Sequence, residues 1–354
     1  MEKPSISEGI TPLSGLALDE AVASAHEGMI PPPMEKSLIA RFPASFFAIG
    51  LGTSSFAGSW QLAHQLWAAP EGIVVALVLL AACLWAVLLT LYILKLSLAP
   101  MALRAELANP VQNCFPGLAG VGMMLTAVSM LPYSKIGAVV LLSTGGVLAA
   151  SYGIWRTQMI WRGTISMSDA TPALYLPVAA ASFVLSIGLS TFGWFDWAEL
   201  ALGAGLFSWL ATESLLFGRL YFGEPLASQI RSTMGVQLAP PAVCSLAYAD
   251  LSGTAGDVFV HSLVGYALLQ AIVVGAILSR ILRRFSAGLW SVSFGATALA
   301  TSIEKLAVRG DTNVATVLAL PVFVGVNLLI LWLTVRTIIS AISGSLLPVA
   351  QEEK

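Results

Sequence analysis

Few residues in this sequence stand where they could do chemistry. Glu213 is one, the only carboxylate well inside an uncharged stretch, LFSWLATESLLFG. A carboxylate in such surroundings is either a proton site of a coupled transporter or a buried structural acceptor. Arg219 or a backbone donor at a helix kink is a ready partner for the structural role, and that reading is favoured. His26, His64 and His261 are isolated, and Cys83, Cys114 and Cys244 are scattered in apolar runs with no C-x-x-C spacing. They spell no metal-ligand set, and the cysteines read as small buried hydrophobes. There is no G-x-S-x-G elbow and no P-loop lysine. The sequence therefore predicts neither an enzyme nor a cofactor. The other notable residue is Phe294, in GLWSVSFGATALATS from Gly288 to Ser302. It is the one large side chain among Ser291, Ser293, Gly295, Ala296, Thr297, Ala298 and Thr301. Small and hydroxylated residues let backbones approach or face a polar cavity. A lone aromatic among them either packs into a neighbour or stands in an open space.

The elements that position these residues follow from composition. The chain is 57% hydrophobic and only 10% charged over 354 residues, with a mean hydropathy of +0.85. That describes a polytopic membrane protein. No basic stripe interleaved with aromatics is present, which argues against nucleic acid. The first apolar run begins at Phe42, so no signal peptide is expected. Residues 1–40 read as an acidic, Pro-containing, disordered tail with at most one short helix near Leu16 to Ala25. Residues 41–340 read as the membrane domain and 341–354 as a short C-terminal tail.

Ten stretches approach the length of a bilayer crossing. They are 42–70, 72–94, 107–134, 136–155, 170–195, 200–218, 232–249, 258–279, 285–303 and 312–335. An even number of crossings puts both ends on one side. Of the 17 Lys and Arg, all but Lys135, Lys305 and Arg309 then fall on that side, so both termini are expected in the cytoplasm. A reporter fused after Lys354 should be active only as a cytoplasmic fusion; periplasmic activity would overturn every loop assignment. Trp194 and Trp197 flank Asp196 as interface anchors, and Lys95, Arg156 and Arg336 end their spans, where they can snorkel.

Proline divides the spans. Pro43, Pro70, Pro110, Pro116, Pro132, Pro172, Pro177, Pro240 and Pro241 lie in odd-numbered stretches, and Pro321 alone lies in an even one. Proline removes a backbone hydrogen bond, and in lipid the freed carbonyls must be buried or face water. The odd spans are thus inner helices and the even ones lipid-facing. The fold expected is all-α: five parallel helical hairpins in a quasi-five-fold ring around a central pore. The alternative is a close-packed bundle whose glycines only allow tight packing. No basic residue lies in mid-span on the inner helices. An anion there would meet helix N-termini, freed amides and hydroxyl dipoles.

Three segments carry a resemblance: TPALYLP from Thr171, RSTMGVQLAP from Arg231 and GLWSVSFG from Gly288. Together they resemble the bacterial tellurite-resistance TehA proteins, grouped with plant guard-cell slow anion channels and fungal malate and sulfite transporters. The likeness runs from about Pro43 to Arg336. It implies a homotrimer with a pore in each subunit, inner helices bent at mid-membrane, and Phe294 as the pore-blocking phenylalanine. Pro177 and Pro240 match bend positions; Gly50 and Gly120 stand where a close relative has proline, and Gly295 adjoins the gate. Gln112, in Asn109-Pro110-Val111-Gln112, replaces a family arginine. The first functional reading is a gated channel for small monovalent anions such as chloride or nitrate in a bacterial inner membrane. The second is a carrier of tellurite, sulfite or a dicarboxylate such as malate, with Glu213 as its coupling site. A sensor or scaffold acting through the acidic tail is a third.

Overall fold

The structure is a computed structural model that describes residues 37–228, 230–253, 257–281, 285–310 and 313–347. Most of the acidic tail and the last seven residues therefore lie outside the described residues. No strand occurs among the described residues; eleven α-helices do. These are α1 (Phe47–Trp67), α2 (Glu71–Leu98), α3 (Pro100–Ala108), α4 (Leu118–Met130), α5 (Lys135–Trp161), α6 (Ala181–Thr191), α7 (Phe195–Phe222), α8 (Ala239–Ser252), α9 (Val258–Ile281), α10 (Ser291–Val308) and α11 (Asn313–Ile342). α3 is a short helix in the connection after α2. The other ten fall on the ten apolar stretches.

Seven segments are long and apolar enough to cross a membrane: 71–98, 112–130, 135–161, 172–191, 195–222, 258–280 and 314–342. α1, α8 and α10 are not among them. α8 has only 14 residues. α1 and α10 are diluted by Gly, Ser and Thr, and α10 carries Glu304 and Lys305 near its end. The residues that make these helices short of hydropathy are those that let them pack closely, and α10 is buried from Ser291 through Glu304.

The proline alternation has a backbone counterpart. α2, α5, α7, α9 and α11 are continuous helices of 24 to 30 residues. Each helix of the other set is shorter and is led in by a 3₁₀ turn: Ala44–Phe46, Gln112–Cys114, Pro172–Tyr175, Arg231–Leu238 and Ala287–Trp290. Pro177 adds a π-helical turn, Leu176–Ala180, before α6. Pro240 sits in the first turn of α8, where 3₁₀ passes into α; a missing N–H costs nothing there. α1 ends where Ala68 turns left-handed at φ 52°, and Pro70 caps the start of α2.

The two sets differ in burial. Windows of 71–98, 195–222 and 314–342 are 22% buried, against 78% for 112–130 and 72% for 172–191. α2, for example, leaves Leu79, Leu80, Val87 and Ile93 exposed, a surface suited to hydrocarbon. Each of α1, α4, α6, α8 and α10 packs on the long helix that follows it. Within the buried set, α1 touches α4, α4 touches α6, α6 touches α8, α8 touches α10 and α10 touches α1.

Two expectations about charge are corrected. Lys95 and Arg156 do not snorkel; they are 3% and 2% exposed. Both helices run past them, α2 to Leu98 and α5 to Trp161, which turns their cationic heads into protein. Lys95 pairs with Glu106 of α3 at 2.5 Å and donates to the Phe42 carbonyl at 2.7 Å. Arg156 donates to the Pro110 carbonyl at 3.0 Å. Cys83 is exposed, unlike Cys114 and Cys244.

Candidate functional site

Phe294 lies in the first turn of α10 and is 4% exposed. It borders a cavity of about 10 Å³, room for about one water. The walls come from every one of the buried spans. Ala48 and Leu51 belong to α1, Phe115 and Leu118 to the start of α4, and Leu176 to the π turn before α6. Val236 and Ala239 stand at the start of α8, with Trp290 and Ser291 beside the ring itself. Ser291 is the single hydroxyl in this wall, and its Oγ donates to the Ser232 carbonyl at 2.5 Å.

A larger cavity of about 380 Å³ shares Phe115 with this one. Its wall includes Ser45, Gln112, Ser232, Thr233, Ser286 and Gly288. These residues lie in or beside the 3₁₀ lead-ins, so several helix N-termini line one part of the cavity, while Ser340, Ser345, Leu346 and Leu347 at and just past the end of α11 line another. Among the described residues, no Lys, Arg, Asp or Glu lines it. Positive potential there comes from N-terminal amides. Gln112 brings a buried Oε1 with no hydrogen-bond partner, while Asn109 accepts from the Val111 and Gln112 amides at 3.0 and 2.9 Å and holds the turn.

The small residues around Phe294 serve close packing. A Cβ on Gly52 of α1 would overlap Ser293 Oγ, at 1.9 Å. Gly295 leaves no open space beside the ring: a Cβ there would meet Ala239 N at 2.7 Å and Leu238 C at 2.9 Å. Gly50 and Gly120 also make close contacts. Both lie inside regular α-helix. Gly50 faces Leu88 of α2, and Gly120 faces the Gly145 carbonyl of α5. Pro177 and Pro240 do mark departures from α geometry, and the Pro177 carbonyl lies against Gly153 of α5.

Glu213 is buried and fully engaged. Trp209 Nε1 donates to it at 2.9 Å, Gln237 Nε2 at 3.0 and 3.1 Å, and the Tyr266 hydroxyl at 2.6 Å; the Tyr175 hydroxyl donates as well. Arg219 is not its partner, donating instead to the carbonyls of Ser168 and Glu224. Tyr175 lies in TPALYLP and Gln237 in RSTMGVQLAP, so Glu213 is where two of the three motifs meet. The third reaches RSTMGVQLAP through Ser291 and Ser232. Glu213→Gln swaps an acceptor for an amide donor amid these donors. A loss of about 1–3 kcal/mol of stability is expected, read as a lower Tm in detergent, with anion flux as independent of a proton gradient as in the parent.

Comparison with known proteins sets this geometry in context. The family model described as SLAC1, voltage-dependent anion channel, matches residues 41–338. The chain belongs to the SLAC1 family of voltage-dependent anion channels. The tellurite resistance protein TehA homolog of Haemophilus influenzae is 29% identical over 262 residues, 73% of this chain and 80% of that protein. The chain is thus a multi-pass membrane protein of an anion channel and transporter family.

The sequence pointed to Phe294 and Glu213 but missed two buried carboxylates. Glu106 and Glu304 are 8% and 0% exposed. Each stands at the edge of an apolar run, where it reads as the start of a loop. Lys95, eleven residues before Glu106, was the only available hint.

Proposed function

We propose that this chain is a gated channel for small monovalent anions such as chloride and nitrate. It acts in a bacterial inner membrane with both termini cytoplasmic, as a homotrimer with one pore in each subunit. In this reading residues 41–340 form five helical hairpins around the pore, flanked by the tails 1–40 and 341–354. The cycle of contacts among α1, α4, α6, α8 and α10 supports that arrangement. The observation that carries the reading is the position of Phe294, in a nearly filled cavity walled by all five of those spans. An apolar plug there excludes water and confronts an anion with a desolvation barrier. The helix N-termini on one side of the wider cavity attract anions without binding them tightly, which suits conduction.

The carrier alternative, for tellurite, sulfite or a dicarboxylate such as malate, drew on Glu213. Four donors now occupy that carboxylate, which favours a structural role. The link to tellurite rests on the relative's name. Current through purified protein in a planar bilayer tests the proposal. A current that persists without a proton gradient and reverses at the chloride equilibrium potential supports the channel. Flux only with a proton gradient overturns it.

A further inference from the structure

Three buried carboxylates divide sharply by their partners. Glu213 receives four donors. Glu106 receives the Lys95 ammonium and the Ala44 amide, each at 2.5 Å. Glu304 in α10 is 0% exposed and receives one: Ser59 Oγ of α1 donates to Oε1 at 3.0 Å. Its Oε2 is buried with no hydrogen-bond partner. An ionised carboxylate buried with so little compensation carries a large free-energy penalty, and a proton removes it.

Among the described residues no neighbouring charge supplies the balance. α10 packs against α1, α8, α9, α11 and the 3₁₀ turns 231–238 and 287–290. The titratable and charged groups on those elements and on α10 itself are His64, Cys244, Tyr248, Asp250, Arg231, His261, Tyr266, Arg280, Arg336, Lys305 and Arg309, and none bonds to Glu304. Lys305 and Arg309 pair with Asp250. His64 faces the Ala69 carbonyl, and His261 the Asp257 carbonyl. Tyr248 donates to Asp257, Tyr266 to Glu213, and Arg231 to the Leu226 carbonyl. Arg336 lies over the Phe285 ring.

The position ties this group to the plug. Glu304 follows Phe294 by ten residues on α10, about 15 Å along the helix axis. The α1–α10 contact runs from Gly52 and Ser293, beside Phe294, to Ser59 and Glu304 near the far end. We propose that Glu304 is a proton-binding site within the α1–α10 contact: it holds a proton in the present arrangement, and losing that proton to the face opposite the basic loops loosens the contact and lowers the barrier at Phe294. Release leaves two carboxylate oxygens needing donors, which water can supply only if the helices part. The gating half of this proposal rests on the channel reading; the proton itself does not.

Two measurements on the full-length protein in lipid test it. In infrared difference spectra, a protonated-carboxyl band should titrate with pH and be missing in Glu304→Gln; a spectrum unchanged by that substitution overturns the proton site. In planar bilayers with chloride on both sides, alkalinising the face opposite the basic loops by one unit should raise conductance up to about tenfold in the parent. Glu304→Gln should stay at the low level. Ser59→Ala removes the one donor to the ionised form and should move the response to higher pH. Phe294→Ala with Glu304→Gln should conduct as Phe294→Ala does alone, insensitive to pH. An absent response in the parent, or the same response in Glu304→Gln, overturns the coupling. No current from Phe294→Ala would instead refute the channel reading and leave the infrared result to decide the proton site.

Discussion

Replacing Phe294 with alanine should raise basal anion conductance on the order of a hundredfold, because removing about 3 kcal/mol of barrier does that. The expected barrier is steric and dielectric. The ring nearly fills the space among Leu51, Leu118, Leu176, Val236 and Trp290, leaving a cavity of about 10 Å³. A hydrated ion cannot pass it, and a bare one has no donors among those apolar walls. Deleting the ring should enlarge this space beside the 380 Å³ cavity, with which it shares Phe115, and let water enter. The helix should hold its place, because α10 is fixed by close approach of Gly52 to Ser293 and of Gly295 to Leu238 and Ala239. The substitution still loses packing, as the space beside the ring is smaller than the sequence suggests. A dry core would lose about 3–5 kcal/mol, and a void that fills with water loses less than a dry one. Phe294→Leu should open the pore less. Two controls separate gating from packing. Phe183 is fully buried against Trp209 and Gly205, so Phe183→Ala should lower Tm without adding current. Phe323 packs on Trp60 and Trp67, away from the plug, and Phe323→Ala should likewise add none. Equal currents from Phe294→Ala and the parent, at equal amounts of folded protein, would sink the gate.

How much of this was legible in the sequence depends on which physical signal each feature leaves. Proline position and side-chain size report on backbone hydrogen bonding and helix approach, so the alternation of buried and lipid-facing spans could be read directly. The isolation of Phe294 among small residues was visible for the same reason. The 3₁₀ lead-ins were not read, because hydropathy is blind to the hydrogen-bond ladder, although the Ser, Gly and Pro clusters before α4, α8 and α10 mark them. Gly295 shows a different limit. Glycine is compatible with empty space and with intimate contact, and only the neighbour, here the Leu238–Ala239 backbone, decides. Charges at span ends were misread in one direction. Lys95, Glu106, Arg156 and Glu304 all sit where a hydropathy profile falls, which suggests water. The helices continue beyond that point and bury them, at 2% to 8% exposure for the first three and 0% for Glu304.

Lys95→Met should destabilise the folded protein by about 3–5 kcal/mol, the usual result of removing one member of a buried ion pair. Lys95 and Glu106 are 2.5 Å apart with side chains 4% and 6% exposed, so water cannot replace the lost ammonium. Met matches the length of the lysine stem and keeps its packing, which isolates the charge. Glu106 would retain a single donor, the Ala44 amide at 2.5 Å, and the Phe42 carbonyl would lose the 2.7 Å bond from Lys95. Both backbone groups belong to the lead-in of α1, beside Pro43, Ser45 and Phe46 in the wall of the wider cavity. The damage should therefore reach the approach to Phe294. In Phe294→Ala, where the plug no longer limits current, adding Lys95→Met should alter conductance. Pairing Lys95→Met with Glu106→Leu removes the stranded charge and should recover most of the stability. Thermal unfolding in detergent compares the parent, the single and the double variant. If Lys95→Met melts with the parent, or the double variant is no more stable than the single, the pair does not clamp the start of α1.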